Sequence, residues 1–214
     1  MENIIIVKNV LGVYSTNCYT VFNSRTREAI VIDPADRADF LADMYSKQGY
    51  KLVAIFLTHG HSDHFAGLLE LKEIYPDIPV YANRAEADVL TNPSKNMSPS
   101  FGAPLKIAPE VLLRDMEELD ILGTKLTCIS TPGHTEGGMC YYFADNKMLF
   151  AGDTLFEQSV GRTDLPTGSG RDIVNNIREK LFVLPDEVEV YPGHGGKTTI
   201  GIEKKYNPYV GIGM

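Results

Sequence analysis

The chain is poor in the residues that mark a disulfide-built or nucleic-acid-binding protein. Its 214 residues hold three cysteines, Cys18, Cys128 and Cys140, which cannot all pair and whose spacing suggests no disulfide framework. Cys128 and Cys140 fall in strand-like runs and read as small buried hydrophobes. Basic residues are outnumbered, 20 Lys and Arg against 28 Asp and Glu, for a formal charge of -8. Phosphate binding needs a basic face, so nucleic acid is not an expected partner. No apolar run approaches the length of a membrane span. The opening Met-Glu-Asn-Ile-Ile-Ile-Val-Lys lacks the basic n-region and apolar stretch of a secretory signal. A cytoplasmic protein without membrane contact is the expectation. Linkers, low-complexity segments and short repeats are also missing, so a single domain over 1–214 is expected, long enough for a substantial core. Histidine is scarce too, five in all, and its placement carries the argument.

Three of the five sit in the stretch Thr58–Gly67, T-H-G-H-S-D-H-F-A-G, which puts His59, His61, Asp63 and His64 within six positions. The β-branched and aromatic run 51–57 before it reads as a buried strand. After it, 64–75 reads as a helix with Phe65, Leu68, Leu69 and Ile74 apolar. The cluster therefore lies on a strand-to-helix loop, where a rigid scaffold can aim several side chains at one point. Imidazole nitrogens and a carboxylate suit zinc, iron or manganese. The other two histidines, His134 in T-P-G-H-T and His194 in Y-P-G-H-G-G, occupy Gly-rich turns after strand-like runs. Asp153 in F-A-G-D-T ends another. That makes seven candidate ligands and leaves no histidine for other work.

Strands are expected at 3–10, 17–22, 28–32, 78–82, 110–114, 125–130, 139–144, 147–151 and 188–191. Helices are expected near 37–48, 84–90 and 171–181. The segment 91–104 has three prolines, three serines and no apolar period, so it reads as a long loop, either a lid or binding loop or a surface excursion. Pattern alone supports a mixed α/β domain of two similar halves, with every candidate ligand on a loop at a strand end.

In combination, H-x-H-x-D-H, T-P-G-H-T, G-D-T and P-G-H resemble the metallo-β-lactamase superfamily, and within it the glyoxalase II-like metal hydrolases, from about Asn17 to Tyr209. The resemblance implies an α+β fold, an αββα sandwich with metals in the crevice between its sheets. It implies one metal on His59, His61 and His134, a second on Asp63, His64 and His194, and Asp153 bridging both. The cofactors so implied are two divalent ions, zinc first, with iron or manganese also suited. Such ions leave room for a bridging hydroxide as nucleophile and polarise a carbonyl. Asp63 and Asp153 are then the catalytic carboxylates, Asp63 handling protons. Asp33, which reads locally as a turn residue, becomes a carboxylate beside the metals. The implied activity is hydrolysis of a small hydroxyacyl thioester such as S-lactoylglutathione. Arg162, in S-V-G-R-T-D, matches a cation near the substrate's thiol moiety, with Asp164 beside it; a structural ion pair between the two is the other reading.

Departures matter as much. His61 stands where flavodiiron oxidoreductases have glutamate, which argues for hydrolysis. True β-lactamases use a second-metal set that includes cysteine, which points away from antibiotics. The helical C-terminal extension with which glyoxalase II grips glutathione has no room after His194, and its tyrosine two residues on is Gly196 here. The thiol carrier is therefore open. A mononuclear-iron persulfide dioxygenase of the same fold is the alternative enzyme, and a metal-binding module without turnover the third reading. Oligomeric state is not legible.

Overall fold

The computed structural model describes residues 3–211, so the ends of the expected domain, 1–2 and 212–214, lie outside it. The first sheet holds β1 (Ile4–Leu11), β2 (Thr16–Asn23), β3 (Glu28–Ile32), β4 (Lys51–Phe56), β5 (Val80–Asn83) and β6 (Val111–Leu113), in that order. Its first three strands are antiparallel and the pairs from β3 to β6 parallel. Next come β7 (Glu117–Ile121), β8 (Thr124–Ser130), β9 (Met139–Phe143), β10 (Met148–Gly152) and the small hairpin of β11 (Leu155–Phe156) and β12 (Ser159–Val160). With β13 (Glu189–Pro192) and β14 (Thr198–Thr199), the second sheet runs β14-β13-β10-β9-β8-β7. There only β10 and β13 are parallel.

Period-two alternation on these strands creates the layers. Along β10, Met148 and Phe150 face the centre of the molecule while Leu149 and Ala151 face outward. Along β3, Ile30 and Ile32 point to the centre and Val31 away. The central layer is thus formed by both sheets, with Phe56, Tyr141, Phe143 and Phe150 at its middle; each buried phenylalanine contributes about 1.5–3 kcal/mol. The outer face of the first sheet is covered by α1 (Ala38–Gln48) and, beyond α2 (Ser62–Phe65), by α3 (Leu68–Ile74), through Leu41, Tyr45, Leu68 and Leu71. After α4 (Ala87–Thr91) and α5 (Pro93–Asn96), α6 (Gly170–Asn176) and α7 (Ile200–Tyr206) help cover the second sheet, through Ile173 and Ile200. This is an αββα sandwich of α+β class. No described helix is long and apolar enough to cross a membrane.

Four expectations need correction. The helix read over 64–75 is broken into α2 and α3: the Gly67 amide bonds to the Pro34 and Ala35 carbonyls, and a Cβ there would stand 2.9 Å from Pro34 O. The chain must dip at this point to meet the turn after β3. The segment 91–104 is no unstructured loop. It contains α5 and a 3-10 turn, Ser98–Phe101, ordered by buried Asn96, whose amide donates to Leu90 and Leu105 carbonyls, and by Ser98 Oγ, which accepts from the Leu105 amide. β7 was not expected, because its sequence E-E-L-D-I is mostly acidic; it is an edge strand with Glu118 and Asp120 exposed. The tail after β13, for which no element was assigned, forms β14 and α7. The three cysteines are buried and unpaired, and burial pushes the thiols of Cys128 and Cys140 up to about 12 and about 11.

Candidate metal centre

Four strands deliver the candidate ligands at their C-terminal ends: β4 the 59–64 cluster, β8 His134, β10 Asp153 and β13 His194. Cross-sheet bonds lock those ends in register. The Met139 amide donates to the Thr58 carbonyl at 2.8 Å, and the Tyr141 hydroxyl to the Leu57 carbonyl at 2.6 Å. β2 holds the last loop: Asn17 N–H bonds to Gly193 O at 2.7 Å, and Asn17 Nδ2 reaches Pro192 O at 2.9 Å. The loops then pack closely enough that Gly193 admits no side chain, since a Cβ would stand 2.2 Å from Asp153 Oδ1 and 2.6 Å from His64 Cε1.

The seven side chains converge. His59, His61 and His134 form one group, and Asp63, His64 and His194 another, the donor atoms within each lying inside 4.8 Å of one another. His61 Nδ1 is 2.9 Å from His134 Nε2, and His64 Nε2 is 3.3 Å from His194 Nε2. Nitrogens sharing a tetrahedral zinc at 2.0–2.1 Å stand about 3.4 Å apart. Asp153 lies between the groups, with carboxylate oxygens 3.5 Å from His134 Nε2, 3.4 Å from His64 Nε2 and 3.6 Å from His194 Nε2. Asp63 Oδ2 is 3.3 Å from His194 Nε2 and accepts from Thr16 Oγ1 at 3.1 Å.

Supporting contacts turn three of the rings, His64, His59 and His134, so that one nitrogen of each faces the cluster. Asp33, at the end of β3 in the left-handed region (φ 52°), accepts from His64 Nδ1 at 2.8 Å and from Thr58 Oγ1 at 2.7 Å. Of its two readings, the carboxylate beside the cluster is the one observed. Thr58 Oγ1 lies 3.1 Å from His59 Nδ1, and the Arg162 carbonyl accepts from His134 Nδ1 at 2.7 Å. Carbonyl, hydroxyl and carboxylate partners of this kind fix the tautomer and raise ligand basicity.

Electrostatics divide the cluster. Burial, then the neighbouring histidines, hold His59 well below the ordinary imidazole range and His61 down at about 3, so both are neutral donors. Burial also opposes charge on His64, but Asp153, Asp63 and Asp33 outweigh it and raise its pKa; His194 is raised because its bond to Asp63 and the charge of Asp153 overcome burial. Against their own burial, His64 and His194 keep Asp63 and Asp153 below the usual carboxylate range.

The residues fit divalent metal ions on a direct observation: His59 Nε2 and Asp153 Oδ1 are buried with no hydrogen-bond partner. Buried acceptors without donors are costly and rare, and here their residues, with His64, form a further group whose donor atoms lie within 4.8 Å of one another. A cation at each group supplies what protein donors do not.

A cavity of about 480 Å³ opens over the cluster, walled by Tyr14, Met97, Phe156, Val160 and Leu165, with Ser100, Ser159 and Arg162 as further polar lining. Met97 and Ser100 come from the 91–104 segment, which therefore borders the cleft. Arg162 Nε and Nη2 each donate at 2.7 Å to Asp164 in an exposed fork-to-fork pair, and Asp164 itself is not in the lining. Sequence reasoning assigned no role to Thr16, to the Thr58 hydroxyl or to the Arg162 carbonyl, although the last two lie inside motifs it had singled out. It also missed Glu86, a buried carboxylate bonded to the Gly60 amide at 2.7 Å and Thr135 Oγ1 at 3.1 Å.

Comparison with known proteins agrees with this geometry. The family model described as Metallo-beta-lactamase superfamily matches residues 11–194. An uncharacterised protein of Mycobacterium leprae is 37% identical over 93% of this chain and 95% of its own length. A probable metallo-hydrolase of Streptococcus pyogenes is 35% identical over 95% and 89%. The hydroxyacylglutathione hydrolase GloC of Haemophilus influenzae is 30% identical over 92% and 93%. Among solved structures, the BLEG-1 B3 metallo-beta-lactamase superposes with a TM-score of 0.90 at 34% identity, over 96% of this chain and 99% of that one. A protein solved in a di-iron-bound form superposes at 0.84 with 30% identity, over 95% and 99%.

Proposed function

The chain belongs to the metallo-beta-lactamase superfamily, and from that premise we propose that it is a metallo-hydrolase cleaving a small acyl thioester with two divalent ions, zinc in the first place. One observation carries the reading: two three-residue donor groups flank a shared carboxylate, Asp153, whose oxygens lie within 3.6 Å of histidines from both. The 30% identity to a hydroxyacylglutathione hydrolase supports a hydroxyacyl thioester as substrate. The whole is carried by one domain over 1–214.

Two divalent ions in these positions supply a water of lowered pKa and a Lewis acid for the substrate carbonyl. The protein does the rest. His59, His61 and His134 would hold one ion, and Asp63, His64 and His194 the other. Asp63, steadied by Thr16 Oγ1, is placed to orient the attacking water and to take its proton. Tyr14, Met97, Phe156 and Leu165 give the acyl group apolar walls and thin out competing water. Arg162, at the cleft wall, lies against the part of the substrate that does not react, with Asp164 fixing its guanidinium.

A second reading, hydrolysis of a β-lactam amide, is supported by the likeness to a B3 metallo-beta-lactamase at 34% identity. The di-iron form of the other structural relative keeps iron in view as the metal. The deciding experiment loads metal-free protein separately with zinc and with iron(II). Thiol release from S-lactoylglutathione and from a short neutral lactoyl thioester is followed beside nitrocefin opening and oxygen uptake with glutathione persulfide. Thiol release by the zinc form without oxygen uptake is expected. A zinc form inert to every thioester, with oxygen uptake by the iron form, would make the protein a dioxygenase.

A further inference from the structure

Glu86 is a buried carboxylate outside the donor cluster, and no lysine, arginine or histidine pairs with it among the described residues. It follows β5, in the turn Arg84–Glu86, whose entry Asn83 caps by accepting from the Ala85 amide. That turn sends the side chain inward. Oε1 accepts from the Gly60 amide at 2.7 Å, and Oε2 from Thr135 Oγ1 at 3.1 Å. The Gly137 amide is a third donor to the same carboxylate.

The identity of these donors is the point. Gly60 separates His59 from His61, and Thr135 and Gly137 follow His134. One carboxylate therefore binds both loops that bear the three-histidine group, and it binds nothing of the Asp63–His64–His194 group. The loops are pressed onto it: a Cβ at Gly137 would stand 2.3 Å from Glu86 N, and one at Gly60 only 3.1 Å from Oε1. A neutral amide cannot do the same work, because its NH2 end would face the Gly137 amide donor. Burial pushes the carboxyl up to about 7 against the pull of its three donors.

We propose that Glu86 is a positioning residue for the three-histidine metal pocket: its carboxylate clasps the His59–His61 loop to the His134 loop. This rests on the metal-dependent reading above. The test is chelator-competition titration of zinc into wild-type and Glu86→Gln protein. Cobalt(II) spectra of both and melting curves of both metal-free proteins accompany it. Glu86→Gln is expected to bind one of its two ions about 10–100-fold more weakly, the usual effect of losing such a support. The other ion's affinity and the fold by circular dichroism should stay as in wild type, while the cobalt spectrum changes and the metal-free melting temperature falls modestly, because the amide faces a buried donor. Glu86→Asp, which keeps the charge, should recover part of the affinity. Two ions bound by Glu86→Gln with wild-type affinity and spectrum would overturn the inference. So would equal weakening of both ions, which marks a general structural role. Wild-type protein that takes up no metal would overturn the hydrolase reading and this inference with it.

Discussion

The two halves of the metal centre are built on opposite principles. His59, His61 and His134 are 2–4% exposed, and burial lowers the pKa of the first two so that they are donors without protons. In the other half the side chains of Asp63 and His194 are 16% and 30% exposed, and carboxylates raise the pKa of His64 and His194. One pocket is made ready by desolvation and backed by Glu86; the other is made ready by charge and backed by Asp33. The cleft is lined by Asp63 and His194 of the open, charged half and by His61 and His134 of the buried one, so substrate meets both.

Asp153 joins the halves, and its loss should be the largest single effect. With Asp153→Ala, two cations stand close together without their shared counter-charge; removing one partner of a buried charge group costs about 3–5 kcal/mol. Activity should fall to background and the metal-loaded protein should melt earlier. Asp63→Asn touches only the open half and should lose rate while retaining most of its stability. Melting curves, elemental analysis and thioester turnover compare the two. An Asp153→Ala protein as stable as wild type with two ions bound would break the bridging assignment.

Removing the metals should expose the opposed protonation of the halves. His59 and His61 have folded pKa values below the unfolded 6.5, so below pH 6.5 the unfolded chain binds more protons and stability falls with pH. For His61 that window runs down to about 3, at no more than about 1.4 kcal/mol per pH unit. His64 and His194 are raised, so the stability they contribute is fully present below 6.5 and is lost as pH rises through their folded values. Asp63 and Asp153, being depressed, lose theirs only in acid beneath the usual carboxylate range. Chelator-treated protein should therefore show its highest urea midpoint near pH 6.5, falling on both sides. Metal-loaded protein should show no fall on the alkaline side, since cations replace those two protons. A midpoint of the stripped protein that keeps rising from pH 6.5 to 9 would contradict the charged state of His64 and His194.

The same division decides what could be read from sequence. Strand-end histidines in short Gly-rich motifs are visible, because a metal needs particular atoms and the motifs supply them wherever the chain turns. The strands of the central layer were also legible from their β-branched and aromatic runs. The break between α2 and α3 was not, because Gly67 interrupts the helix for a contact with Pro34, which is distant in sequence. Nor was the order of 91–104, which rests on the side-chain bonds of Asn96 and Ser98. Asp33 was visible only through the resemblance. Glu86 was not visible at all: a lone glutamate in a polar turn looks solvated until the loops of Gly60 and Thr135 are folded onto it.

The smallest expected effect separates the two parts of Arg162. Its carbonyl accepts from His134 Nδ1 and so supports the buried half, whereas its guanidinium forks onto Asp164 at the cleft wall. Arg162→Ala removes only the second. The pair is exposed, 62% and 68%, and exposed ion pairs contribute about 0–1 kcal/mol, so stability should hardly move. Metal content should stay at the wild-type value, because the backbone carbonyl remains to orient His134. If the guanidinium contacts the non-reacting part of the substrate equally in ground and transition states, KM rises by no more than about fivefold while kcat holds, since uniform binding is all that is lost. Steady-state kinetics on one thioester with metal analysis on the same sample decide it. Unchanged KM would leave the Arg162–Asp164 pair a purely structural contact; lost metal would show that the side chain, not only the carbonyl, holds His134 in place.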